Sequence, residues 1–282
     1  MEEKSLLKLM YITNDPTVAM IADKYGVDRV WIDLERLGKE ERQKNMNSVK
    51  SFHSVSDIET IKPLLKNSEM LVRVNPWHEG SKKEIDDVIK AGADIIMLPY
   101  WKSLKEVDAF LNAVSGRCKT TLLLENKDAM ECADDVLKNG GFDEIHIGLN
   151  DLHLSLGMTF MFELLADGTV ERLCEKFKDY NIPYGFGGIA RLGYGLLPAE
   201  MVIKEHYRLG STRAILSRAF CDSSLVESAS EVETIFRDKM NELRKYEISM
   251  RDVTDSEFIS NKKEVSEKVA LIVSQIKEKQ ND

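Results

Sequence analysis

Two acids each close a strand-like apolar run. Glu125 ends Lys119-Thr-Thr-Leu-Leu-Leu-Glu, and Asp151 ends Glu144-Ile-His-Ile-Gly-Leu-Asn-Asp. They lie 26 residues apart (125 to 151), with a helix-sized stretch between them. That is the length of one β-α-β unit, which would set both acids side by side at the same end of adjacent parallel strands. Two hard oxygen ligands so placed suit Mg²⁺ or Mn²⁺, with positions left open for water and substrate. One acid alone reads equally well as a structural cap, and Asp151 ahead of Leu-His-Leu-Ser fits a helix N-cap. Two further strand ends add weight: Trp31-Ile-Asp33-Leu-Glu35-Arg36 and Leu71-Val-Arg73-Val-Asn-Pro76. A metal between two carboxylates with an arginine nearby can hold a 2-oxo acid. Arg73 would then neutralise the enolate oxygen as it forms, and Asp33 would orient Arg73 or hold a water beside the metal.

The elements that must position these residues alternate along the first 220 residues. Strand candidates are 7–12, 30–34, 70–74, 95–98, 120–124, 145–149, 184–186 and 213–216, mostly short and rich in Val, Ile or Leu, as suits strands covered on both faces. Between them lie amphipathic patterns. Residues 81–91 carry Ile85, Val88 and Ile89 on one face, and residues 103–114 carry Leu104, Val107, Phe110, Leu111 and Val114. Gly26, Gly92, Gly116, Gly140 and Gly210 fall where left-handed C-caps are wanted. Eight strands in regular β/α alternation predict a (β/α)₈ TIM barrel over residues 1–221, whose chemistry sits at the C-terminal ends of the strands. The open doubly wound sheet is the competitor, and its dinucleotide-binding form is disfavoured because no G-x-G-x-x-G follows the first strand. Residues 222–282 are highly charged and read as additional C-terminal helices. One carries Leu225, Val232, Phe236, Met240 and Leu243, and the other Val265, Val269, Ile272 and Ile276. They either pack on the barrel or form an arm for a neighbouring subunit, so a homo-oligomer is expected.

A net charge of −9 with 43% hydrophobic and 31% charged residues fits a soluble globular protein and offers no basic footprint for nucleic acid. The four cysteines have no metal-ligand or C-x-x-C spacing and read as reduced thiols. The acidic N-terminus does not look like a secretory signal, and no apolar run is long enough for a membrane span, so a cytoplasmic location is expected.

Glycines and arginines cluster late in the chain, in Gly185-Phe-Gly187-Gly188-Ile-Ala-Arg191 and in Leu216-Ser-Arg218. Barrels often bind phosphate in the loops after strands seven and eight. Gly187 and Gly188 would let backbone N–H groups approach an anion, and Arg191 or Arg218 would clamp it, which points to a phosphorylated acceptor. The plainer reading is that the glycines relieve crowding and the arginines pair with surface acids.

Taken in order, WIDLE at 31–35, LVRVNP at 71–76, KAGADIIMLP at 90–99, LLLENKDAM at 122–130 and GFDEIHIGLNDLHLSLG at 141–157 resemble the HpcH/HpaI aldolase and citrate lyase β-subunit family of pyruvate-binding barrels. The resemblance implies a metal-dependent carbon–carbon lyase working through a pyruvate enolate. It puts the metal carboxylates on Glu125 and Asp151, the enolate-stabilising arginine on Arg73 and the strand-two acid on Asp33. Gly148 and Asn150, in the motif that carries Asp151, would then line the substrate. Two positions depart from it. The aldolases carry a proton-relay histidine where this chain has Arg36, and tend to have a glutamine near Tyr100-Trp101-Lys102. A charged Lys102 cannot accept a hydrogen bond. Replacement candidates for the relay are His78, in the loop after Arg73, and His53. Both also read as ordinary structural histidines, as do His146 and His153. The alternatives are a citryl- or malyl-thioester lyase and a barrel that binds a 2-oxo acid without turning it over.

Overall fold

The computed structural model describes residues 5–38, 53–226 and 228–281. Its strands are Lys8–Ile12 (β1), Arg29–Asp33 (β2), Glu69–Arg73 (β3), Ile95–Leu98 (β4), Lys119–Leu124 (β5), Glu144–Ile147 (β6), Tyr184–Ile189 (β7) and Arg213–Leu216 (β8). They form a closed barrel in chain order, so the (β/α)₈ reading holds and the open sheet does not. The chain divides into two compact units, residues 10–146 and residues 1–9 with 147–282.

In residues 10–146 the helices are Pro16–Lys24 (α1), Val55–Ile61 (α2), Ser81–Ala91 (α3), Leu104–Val114 (α4), Lys127–Glu131 (α5) and Ala133–Asn139 (α6). The amphipathic stripes turn inward as their spacing demands: Ile85 and Val88 of α3 and Val107, Phe110 and Val114 of α4 are buried. Gly92 ends α3 at φ 110°, a left-handed cap that costs glycine little. Strands β2 and β3 pair in parallel with Arg29 opposite Glu69, Trp31 opposite Leu71 and Asp33 opposite Arg73. Side chains alternate between faces along a strand, so Arg29, Trp31 and Asp33 share one face of β2. At its N-terminal end the fully buried Arg29 donates two bonds to Glu144 (2.6 and 2.7 Å) and one to Glu69 (3.2 Å), which also takes Lys119 at 2.6 Å. Burial alone would lower the Arg29 pKa, but Glu144 and Glu69 outweigh it and raise it. Removing one member of such a buried pair typically costs about 3–5 kcal/mol.

The second unit holds Leu149–Ser155 (α7), Glu163–Ala166 (α8), Thr169–Asp179 (α9), Ala199–Leu209 (α10), Ala229–Ser249 (α11) and Asp255–Asn281 (α12). β7 runs three residues beyond its predicted end, through Gly187 and Gly188, with a register irregularity against β8 between Gly185 and Gly188. The apolar stripe of α11 is buried at Val232, Phe236, Met240 and Leu243, whereas Leu225 precedes the helix and is 80% exposed. Val265, Val269 and Ile272 of α12 are buried within this chain. Asn261 donates to Met201 O (3.1 Å) and Glu205 (2.9 Å) on α10, and Lys262 reaches Glu171 on α9 at 2.6 Å. The stripes of both helices are thus buried in this chain, and α12 is tied to α10 and α9. No helix among the described residues is long and apolar enough to cross a membrane.

Candidate active site

At the C-terminal end of β3, Arg73 is held by the strand beside it. Its Nε and one terminal nitrogen donate to the two oxygens of Asp33, each at 2.8 Å, a bidentate pair. Its other terminal nitrogen lies 3.3 Å from Glu35. The guanidinium also sits 5.1 Å above the Trp31 ring. Asp33 and Glu35 are each 2% exposed. Burial by itself would lower the pKa of Arg73, but the charges of Asp33, Glu35 and Glu125 raise it well above its ordinary value. A guanidinium has five N–H donors, and three are used here. Two remain uncommitted.

Glu125 directly follows β5 and is 2% exposed. One of its oxygens accepts the Tyr100 backbone N–H at 3.1 Å. Tyr100 adopts φ 48°, left-handed and strained for a side chain of its size. The strain turns an amide onto the carboxylate and fixes its direction. The neighbouring Asn126 caps α5 through Ala129 N (2.9 Å) and donates to Trp101 O (3.0 Å), so Glu125 stands on a braced turn. Lys102 is exposed and lies 5.3 Å from the Tyr100 ring centre.

The loops around Arg73 are tied by residues with other roles. The Asp33 backbone N–H donates to Nδ1 of the buried His53 (2.9 Å), which fixes that nitrogen as an acceptor. Arg36 is exposed and donates to His53 O at 2.8 Å. Asn75 accepts the N–H groups of Arg36 and Leu37 (2.8 and 3.0 Å) and donates to Glu84 (2.7 Å). His78 makes its bonds here too. Its Nε2 faces Glu84 at 3.2 Å and its Nδ1 accepts from Gly80 N at 3.0 Å. With both nitrogens engaged, His78 braces the loop, and the structure does not bring it to Asp33 or Arg73. Three of the four thiols are disfavoured as nucleophiles: burial raises the Cys118 pKa to about 11 and also raises those of Cys132 and Cys174.

In the second unit, Asp151 is not at a strand end. β6 stops at Ile147, Gly148 caps α7, and Asn150 and Asp151 lie in its first turn, Asp151 partly exposed. An acid there is favoured by the positive end of the helix, which explains why the strand-like pattern ended early. His153, on the same helix, is buried against Leu149 O (3.2 Å), and His146 is a fully buried strand residue. Gly187, at φ 51°, has another use than binding an anion. A Cβ there would come within 2.6 Å of the Leu149 side chain, so this glycine relieves crowding. A Cβ on Gly188 would meet Ser217 at 3.3 Å. Arg218 is exposed, whereas Arg191 is partly buried and stacks at 3.9 Å over Tyr194.

Sequence reasoning gave no role to Glu35, Asn75, Glu84 or Tyr100. The period of two from Asp33 to Glu35 was a usable signal for the first, since both side chains leave the same face. The Asn-Pro pair after β3 marked a turn for the second. Nothing in a tyrosine announces a left-handed backbone.

The fold has many solved relatives. An HpcH/HpaI aldolase from Desulfitobacterium hafniense DCB-2 superposes with a TM-score of 0.57 at 14% identity, covering 75% of this chain and 86% of that one. An aldolase/citrate lyase family protein from Burkholderia cenocepacia J2315 gives 0.60 at 13%, covering 86% and 95%. Citrate synthase SbnG gives 0.56 at 16%, covering 76% and 86%. A search of curated proteins gives no match. At such identities the superpositions speak for the barrel alone. The family model for HpcH/HpaI aldolase/citrate lyase, however, matches residues 8–163, more than half of the sequence and every motif from WIDLE to the Asp151 segment. The chain therefore belongs to the HpcH/HpaI aldolase/citrate lyase family, a family of lyases.

Proposed function

We propose that this lyase is a metal-dependent aldolase-type enzyme that makes or breaks a carbon–carbon bond through the enolate of a 2-oxo acid, pyruvate being the simplest. The observation that carries the reading is Arg73. It is locked by Asp33 and Glu35, yet keeps two N–H groups for an oxygen that gains charge. Asp33 acts by holding the guanidinium in one orientation, so that little reorganisation is needed as charge develops. Glu125 and Asp151 are the carboxylates that would hold Mg²⁺ or Mn²⁺. Glu125 fits that role by chemistry, as a buried hard oxygen donor that directly follows β5. Among the described residues no group of three or more His, Cys, Asp or Glu is gathered for a metal, so a cation here would take other ligands from water or substrate. When bound, the metal supplies Lewis acidity toward the keto oxygen. His78 is left out of the proton relay because both its nitrogens are engaged.

Exchange of pyruvate methyl protons into deuterated water, followed by NMR, tests the reading directly. Exchange that requires added Mn²⁺ is expected. Pyruvate binding without exchange would assign the chain a sensor role instead, and absence of binding would defeat both. The family resemblance also supports a homo-oligomer, although its surface is not the α11 and α12 stripes. Light scattering at micromolar concentration should give a mass above 32.1 kDa, and a monomer would refute this part.

A further inference from the structure

We propose that Arg191 and Tyr194, in the loop after β7, form a binding site for an organic oxyanion, the carboxylate or phosphate tail of the second substrate. The proposal rests on the lyase reading for the identity of that substrate, but not for the site. The loop is built as a turn. Tyr194 N donates to Arg191 O at 3.1 Å, and Gly193 sits between them at φ 78°, as the third position of a type II turn requires. Two outer bonds hold the turn, from Gly193 N to Glu200 (2.7 Å) and from Ala199 N to Tyr194 O (3.1 Å). The backbone N–H of Arg191 also reaches Ala219 O, after β8, at 3.5 Å. The first and fourth side chains of the turn are thereby set together, and the guanidinium lies 3.9 Å from the centre of the Tyr194 ring.

Among the described residues the guanidinium has no counter-charge. Its Nε is fully buried and finds no hydrogen-bond partner there. Glu200, an acid bonded into the same loop, takes the Gly193 amide rather than Arg191. This is unusual in a chain with 48 acids against 39 basic residues. Arg29, Arg73 and Arg208 are by contrast each paired with two carboxylates. With no carboxylate on its terminal N–H groups, the Arg191 guanidinium keeps the planar donor fork that matches an oxyanion. Stacking on Tyr194 occupies the face of the guanidinium and leaves its N–H edge for a bidentate oxyanion. Tyr194 is 50% and Leu196 69% exposed, so the loop that carries Arg191 borders solvent and presents an apolar surface beside it. That combination suits the charged end of a small organic acid or phosphate ester.

Calorimetric titration of the full-length protein with inorganic phosphate and, separately, with acetate tests the site without any metal. At least one anion is expected to bind the wild type. Arg191→Gln should weaken it about tenfold or more, the loss typical of one charge-assisted bond. Tyr194→Leu should weaken it several-fold, and Tyr194→Phe, which keeps the ring, should restore it. Tighter binding of phosphate marks a phosphorylated substrate, and tighter binding of acetate a carboxylate. The proposal falls if neither anion binds the wild type at millimolar concentration, or if a folded Arg191→Gln protein binds like the wild type. Pyruvate proton exchange measured on the same wild-type sample judges the lyase reading separately, since it makes no use of the second substrate.

Discussion

Glu125→Gln and Asp151→Asn should each abolish Mn²⁺-dependent proton exchange of pyruvate while leaving the protein folded. Each change keeps the shape of the side chain and removes its charge. The amide oxygen introduced by Glu125→Gln can still accept the Tyr100 N–H, so the loops after β4 and β5 keep their bond. Asp151 is partly exposed in the first turn of α7, where a neutral amide costs about 0.3–1 kcal/mol of helix-end electrostatics. Loss of an outer ligand already weakens many metal sites about 10–100-fold, so loss of a direct one should push Mn²⁺ affinity down by roughly a hundredfold or more. Mn²⁺ titration followed by electron paramagnetic resonance, with thermal unfolding as the control, reads both effects. If both variants titrate like the wild type, the metal does not sit on these acids.

Arg73→Lys should slow proton exchange by about a hundredfold, the loss seen when one oxyanion donor is removed from an active site. Lysine keeps the charge but presents a single ammonium. It can pair with Asp33 or with Glu35, and then has little left for an enolate oxygen. The defect should fall on kcat more than on KM, because the interaction is made with charge that develops during reaction. Near-normal exchange in a folded variant would remove Arg73 from the chemistry and leave it as a brace for Asp33 and Glu35.

Much of the barrel could be read from local pattern because parallel strands covered on both faces are short apolar runs, and barrel helices carry one apolar stripe. The errors were at the ends. β6 stops at Ile147 because Gly148 can start a helix that Asp151 favours, and a strand pattern does not register that competition. β7 continues through two glycines, which usually weaken a strand, because Leu149 needs the space over Gly187. Arg73, Asp33 and Glu125 were visible as charged residues closing apolar runs. The partners of His53 and His78 were not, since a histidine in a loop carries no local sign of what faces it. The burial of α12 on α10 and α9 depends on contacts across more than fifty residues, from Asn261 to Glu205 and from Lys262 to Glu171.

The pairing of β2 with β3 places an ion pair at each end of the same two strands, with the signs exchanged. Arg29 faces Glu69 at one end, and Asp33 faces Arg73 at the other. A slip of four residues, the smallest that brings charge opposite charge again on this face, would set Arg29 against Arg73 or Asp33 against Glu69. A slip of two would leave charges facing Trp31 or Leu71, and a slip of one would turn them to the other face. Every misaligned pairing thus carries a penalty of buried like or unpaired charge, far larger than the hydrogen bonds it could recover. The register of the two strands and the placement of Arg73 are therefore set by the same four side chains. Arg29, at the opposite end of the strands, guards the position of Arg73 without touching it, by forbidding every alignment but one.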